Sequence, residues 1–180
     1  MHKHLNYKRI PCFRYIPTAM TDDERFREAV AHLRDAYRRQ MAGELDAAII
    51  SYRRSIDLYP TAEAHTFLGW TFSFQGHYEE AIGECKRAIA VDPTFGNPYN
   101  DIGSYLLELG RLDDAIPWLE RALRAERYEP KHFPHCHLGN VYWRKGELQR
   151  AEGEFRRALE FSPNYEQARV GLESVLRQLN

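Results

Sequence analysis

Apolar and small residues recur along this chain at helical spacing, in stripes separated by short polar breaks. Ala81, Ile82, Cys85, Ala88 and Ile89 form one such stripe, and Ala151, Phe155, Ala158 and Leu159 form another. Steps of three and four residues place each set on one face of a helix. The breaks themselves repeat. A glycine, an alanine about five residues on and a helical run ending in a small residue begin at Gly43 (GELDAAIISYRRS), Gly76 (GHYEEAIGECKRA), Gly110 (GRLDDAIPWLERA) and Gly146 (GELQRAEGEFRRA). Ala48, Ala81, Ala115 and Ala151 stand 33, 34 and 36 residues apart. A period in this range marks an architecture of stacked repeats, each a supersecondary unit that cannot bury its apolar face alone.

Each phrase is the second half of a longer unit. The first halves read AVAHLRDAYRRQMAG, AEAHTFLGWTFSFQG, GNPYNDIGSYLLELG and HFPHCHLGNVYWRKG. Within them Gly69, Gly103 and Gly139 recur in mid-helix, each beside a large apolar residue. Such a glycine costs about 1 kcal/mol relative to alanine. Its repetition in one register predicts a second helix crossing too closely to admit a side chain. Gly43, Gly76, Gly110 and Gly146 are placed to end each first helix with a positive φ. Pro60, Pro93 and Pro163 close the second helices, whereas the third unit has Arg127 at that place and its stop slips to Pro130.

The pattern is all-α, and these residues resemble the tetratricopeptide repeat (TPR) family: the Leu68-Gly69 and Leu138-Gly139 pairs, Phe72 and Tyr142, the repeated alanines and the closing prolines. The resemblance spans about residues 29–165. It implies a right-handed superhelix of about nine helices, an α-α hairpin solenoid. The hairpins are expected at about 21–61, 62–95, 96–131 and 132–165, with a capping helix over 166–180 whose Ala168, Leu172, Val175 and Leu179 cover the last hairpin. The first unit departs most from the pattern, with Ala36 for the glycine, Arg39 for the aromatic and Ser55 for the alanine, as suits a terminal repeat with one face toward water.

Residues 1–20 read as a basic tail. Lys3, Lys8, Arg9 and Arg14 stand without an acidic residue before Thr21, so the tail is +4 and the remainder −5. Pro11 and Pro17 break any helix there. Thr21 and Glu24 then form the signature of a capping box and predict a helix from about Asp22. The tail is either an arm that docks on the acidic body or a partner, or an upstream extension before a start at Met20.

Composition narrows the function classes. The net charge of −1 gives no electrostatic case for nucleic acid. No apolar run approaches the length of a membrane span. Cys12, Cys85 and Cys136 do not make a disulfide framework, so a reducing, cytoplasmic setting is the expectation. Phosphate-binding glycine loops and the nucleophile-elbow and zincin motifs are absent, and no enzymatic activity or cofactor is expected. His132, His135, Cys136 and His137 are of metal-binding types, but the run offers two ligands on one helix face and no second group, so no metal is expected.

The resemblance implies that the first helix of each hairpin lines a concave groove, and it makes the chain a protein–protein interaction module, an adaptor or scaffold for an unidentified protein or peptide. Mapped onto this sequence, the groove residues are Tyr37, Phe67, Trp70, Phe74, Asn97, Asn100, Asp101, Ser104, His137, Asn140, Trp143 and Arg144. Phe67, Trp70, Phe74 and Trp143 are the expected apolar anchors, with Asn100 and Asn140 reading a peptide backbone. The carboxylate clamp of chaperone-binding relatives is disfavoured, because its basic and amide places hold Leu33, Tyr37, Phe67 and Asn97, and Asp101 has the wrong charge. In the second reading the groove holds the chain's own basic tail or another protomer of a homo-oligomer. The two extra residues in RAERYEPKHFP place Arg124, Arg127, Tyr128 and Lys131 near one edge of the stack.

Overall fold

The computed structural model describes residues 20–180; the basic tail, with Cys12, lies outside them. Nine helices occupy the described residues: α1 (Asp22–Met41), α2 (Leu45–Leu58), α3 (Ala62–Phe74), α4 (Tyr78–Val91), α5 (Asn97–Glu108), α6 (Leu112–Arg124), α7 (His132–Arg144), α8 (Leu148–Phe161) and α9 (Glu166–Leu179). The capping box opens α1 as predicted: the Glu24 amide donates to Thr21 Oγ1 at 3.2 Å, and Glu24 Oε2 accepts from the Thr21 amide at 2.8 Å.

Four glycines end the first helices of the hairpins. Gly76, with φ +77°, allows the His77 amide to turn back onto the Phe72 carbonyl at 3.0 Å and cap the end of α3. Gly43, Gly110 and Gly146 do the same for α1, α5 and α7. The left-handed conformation is unfavourable for a residue with a Cβ, which is why the position repeats.

The mid-helix glycines mark the closest crossings within the hairpins. A Cβ on Gly69 would lie 3.0 Å from the Ala81 carbonyl oxygen, and one on Gly139 would lie 2.7 Å from the Phe155 ring. Phe155 is fully buried, and its ring also meets Gly171 of α9, where a Cβ would come within 2.5 Å. One aromatic side chain on α8 therefore locks α7 and α9 together. Two polar latches repeat the same geometry. His65 of α3 meets Glu84 of α4 at 2.8 Å, and His135 of α7 meets Glu154 of α8 at 2.7 Å.

Two of the three departures in the first unit, Ala36 and Ser55, do not face water. Ala36 is fully buried, and Ser55 is buried with its hydroxyl donating to the Ala29 carbonyl at 2.8 Å. Arg39 pairs with Asp35 and Glu44. The terminal character shows instead in exposed Phe26 and Ile50. At the other end Ala168 and Val175 of α9 are fully buried, Leu172 is half-buried, and Leu179 in the last turn is exposed.

The long connection after α6 runs along the edge of the stack, with Glu126, Arg127 and Glu129 exposed, but it is anchored in the core by Tyr128. Arg127 makes a parallel bridge with Phe95: its amide donates to the Thr94 carbonyl at 3.0 Å, and its carbonyl accepts from the Gly96 amide at 3.1 Å. Tyr128 is buried directly over Gly96, where a Cβ would lie 2.6 Å from the Tyr128 ring. It packs there with Tyr99 and Ala122 as a small second core. Lys131 donates to the Leu123 and Ala125 carbonyls at 2.7 and 3.3 Å, capping the C-terminal end of α6. Arg127 pairs with Asp92 and Glu63.

Candidate functional site

Odd-numbered helices touch in succession, α1 with α3, α3 with α5, α5 with α7 and α7 with α9, whereas no two even-numbered helices touch. The odd helices therefore form the inner layer of the stack, and their free faces line its groove. Four aromatic side chains run along it from the first unit into the second. Tyr37 lies 5.8 Å from Phe67, Phe67 6.4 Å from Trp70 and Trp70 5.2 Å from Phe74, measured between ring centroids. Tyr37 and Phe74 are exposed; Phe67 and Trp70 are half-buried.

Six of the twelve expected groove residues meet at a central cavity of about 390 Å³. Phe67 and Trp70 come from α3, Asn97, Asn100 and Asp101 from α5, and His137 from α7. The remaining wall is Thr66 of α3, Phe133 of α7, Tyr128 and Pro130 of the long connection and Tyr165 from the turn before α9; the part supplied by the connection and by Tyr165 was not foreseen. Phe133 and Tyr165 meet edge to face at 5.5 Å. The sequence signal for this wall was the two-residue lengthening of RAERYEPKHFP, but nothing local says that Tyr128 turns inward.

Asn100 is not a free amide. It is 7% exposed, with its oxygen 3.1 Å from His137 Nδ1 and its nitrogen donating to Asp101 Oδ1 at 3.3 Å. Burial holds His137 neutral, its pKa pushed down to about 4. Burial also pushes the Asp101 carboxyl up to about 7, opposed weakly by the hydrogen bond from Asn100.

Asn140 and Trp143 line a second cavity, of about 480 Å³, between α7 and α9. Its other wall is Glu166, Gln167, Val170, Gly171 and Ser174, so α9 is a groove element as well as a cap. Ser104 and Arg144 line neither cavity. Arg144 donates to the Leu107 carbonyl at 2.9 Å and ties α7 to the end of α5.

The histidine run points in several directions. His132 meets Tyr165 edge to face, His135 is latched to Glu154 and lies over the Phe161 ring, and His137 faces Asn100. Cys136 is buried, its thiol pushed up to about 11 by burial. No three His, Cys, Asp or Glu side chains converge among the described residues. Nor, among them, is any helix long and apolar enough to cross a membrane.

Stacked helical hairpins with an aromatic, polar-floored inner face define the class of helical-repeat binding solenoids. Tetratricopeptide repeat models match residues 62–95 and 95–164, together more than half of the chain, and the protein belongs to the tetratricopeptide repeat family. This family consists in general of non-catalytic modules that bind proteins or peptides. The small glutamine-rich tetratricopeptide repeat-containing protein 2 of Mycosarcoma maydis is 29% identical over 86 residues, covering 47% of this chain and 24% of that protein. The human protein O-mannosyl-transferase TMTC2 is 34% identical over 100 residues, covering 53% of this chain and 12% of the transferase. The chain thus spans a quarter or less of the length of these relatives. Among solved structures, Pseudomonas aeruginosa PilF aligns with a TM-score of 0.79 at 21% identity, covering 86% of this chain and 70% of its own. YrrB, described as a TPR protein with an unusual peptide-binding site, aligns at 0.65 and 20% identity, covering 89% and 84%. At these identities the likeness is one of fold.

Proposed function

We propose that the protein is an adaptor that captures an extended segment of a partner protein along its inner face. The central cavity is the main anchor point and the Asn140–Trp143 cavity the second. The observation that carries this reading is the convergence of Phe67, Trp70 and Phe133 around a polar floor, open to solvent, on the layer formed by the odd helices. Half-buried aromatic rings give large contact area at low conformational cost, and two pockets along one face suit alternate side chains of an extended chain. Asn140, half-buried at the second cavity, is the amide available to read a backbone. Asn100 shapes the floor instead.

The test is selection of binders from a random peptide display library on the full chain, followed by titration against Trp70→Ala and Trp143→Ala variants. Peptides selected on the native protein are expected to lose at least about tenfold in affinity with Trp70→Ala, as truncation of a central aromatic anchor costs about 2 kcal/mol or more. Helical circular dichroism should be unchanged. Peptides that bind both variants as tightly as the native chain overturn the groove as the binding surface.

A further inference from the structure

Asp101 presents a carboxylate to the central cavity, and no cation among the described residues meets it. Among the described residues no lysine or arginine lines the cavity, and Asp101 makes no ion pair. Its one polar partner among them is the Asn100 amide, which donates to it at 3.3 Å. The basic side chains of the neighbouring connection are committed elsewhere, Lys131 to the carbonyls ending α6 and Arg127 to Glu63 and Asp92. Other titratable groups packed around it supply no positive charge. Cys85 on α4, Tyr105 on α5 and Tyr128 in the connection are held protonated by burial, and His137 on α7 is held neutral. From α3 the cavity receives only Thr66, Phe67 and Trp70.

Above this carboxylate the walls are aromatic: Phe67, Trp70, Phe133, Tyr128 and Tyr165. An apolar group alone would leave the acid desolvated and unmatched, which is costly. An anion would be repelled. A planar cation satisfies both features, because a guanidinium stacks on aromatic faces and donates paired hydrogen bonds to a carboxylate. Residues 20–180 carry a net charge of −5, which favours the approach of a basic segment. We infer that the central cavity is a specificity pocket for one arginine side chain of the partner segment, gripped between the aromatic walls and the Asp101 carboxylate. This inference rests on the groove reading and deepens it by naming the chemistry that the segment must carry.

The experiment titrates the full chain with N-acetyl-arginine amide and with N-acetyl-citrulline amide, its uncharged isostere. The readouts at pH 8 are the NMR shifts of the Trp70 indole N–H and the Asp101 carboxyl carbon. Arginine amide should bind on the order of tenfold more tightly than citrulline amide, equivalent to about 1.4 kcal/mol. Asp101→Asn, which keeps the shape of the side chain, should erase that preference while leaving the circular dichroism intact. Equal binding of the two probes, or a preference that survives Asp101→Asn, overturns the arginine pocket. In either case library peptides that still depend on Trp70 leave the groove reading standing, so the two failures are separable. Arginine binding that appears only after Lys3, Lys8, Arg9 and Arg14 are all changed to glutamine assigns the pocket to the chain's own amino-terminal segment and overturns a partner as the occupant.

Discussion

Replacing Asp101 with asparagine should stabilise the protein, and the gain should depend on pH in a defined direction. The Asp101 carboxyl has an ordinary value of 3.8 and is raised to about 7 by burial. The folded state therefore holds a proton that the unfolded chain releases at much lower pH. Because the folded value is the higher one, the stability associated with the protonated form is complete below about pH 4, declines through the window up to about 7 and is gone above it. A shift of about three units at about 1.36 kcal/mol each sets an upper bound of about 4 kcal/mol. Asp101 is partly exposed to an open cavity that water can enter, so about 2–4 kcal/mol is the range expected. Asparagine carries no charge and escapes this penalty, while its amide still accepts from Asn100. Urea unfolding followed by circular dichroism at pH 4, 5.5, 7 and 8 measures the difference. The two proteins should be nearly equal at pH 4, and the variant should pull ahead up to pH 7 and then hold its lead. Parallel stability profiles across this range would refute the reasoning, because they would mean that the acid is as well solvated folded as unfolded. The same substitution is expected to weaken arginine binding, so stability and recognition are opposed at one side chain.

Two glycines of the last hairpin should respond to alanine in opposite ways. Gly139→Ala drives a methyl into the buried Phe155 ring and should cost about 1–3 kcal/mol in thermal or urea unfolding, whereas Gly153→Ala in α8 meets no atom within 4 Å and should be neutral or stabilising by up to about 1 kcal/mol. Lys131→Met removes the donor to the α6 carbonyls and should lower stability by about 1–2 kcal/mol. Amide exchange should quicken first at Arg127 and Gly96, whose bridge the connection holds.

Much of this fold was legible because its determinants are local and repeated. Gly43, Gly76, Gly110 and Gly146 need φ values that few other residues adopt, and the Thr21–Glu24 box closes within four residues. Gly139 announced a close crossing and the adjoining stripe held Phe155, so even that contact could be anticipated in kind. The candidate site was legible as a set of positions rather than as an arrangement. Asn100 read as a free amide because its partner, His137, lies 37 residues away in another hairpin. Tyr128 turns inward through a bridge between two connections with no common sequence pattern. The last helix was expected only as a cap, yet Val170 and Gly171 line a cavity, which depends on how α9 leans against α7. Repeats encode the stack; the cavities arise from contacts between units, where the repeat is silent.

The Phe95–Arg127 bridge has a mechanical consequence. Stacked hairpins deform like a spring, each flexing against its neighbours, and a uniform stack spreads that compliance evenly along its length. Here the segment before the third hairpin is stitched by main-chain bonds to the segment after it, and Tyr128 fills the gap over Gly96. Bending at that level would have to break the stitch, so the third hairpin is stiffer than a uniform stack would make it. Tyr128 is thereby held at a fixed distance from α5, and a ligand in the central cavity meets that wall as a preset surface rather than one that must form around it.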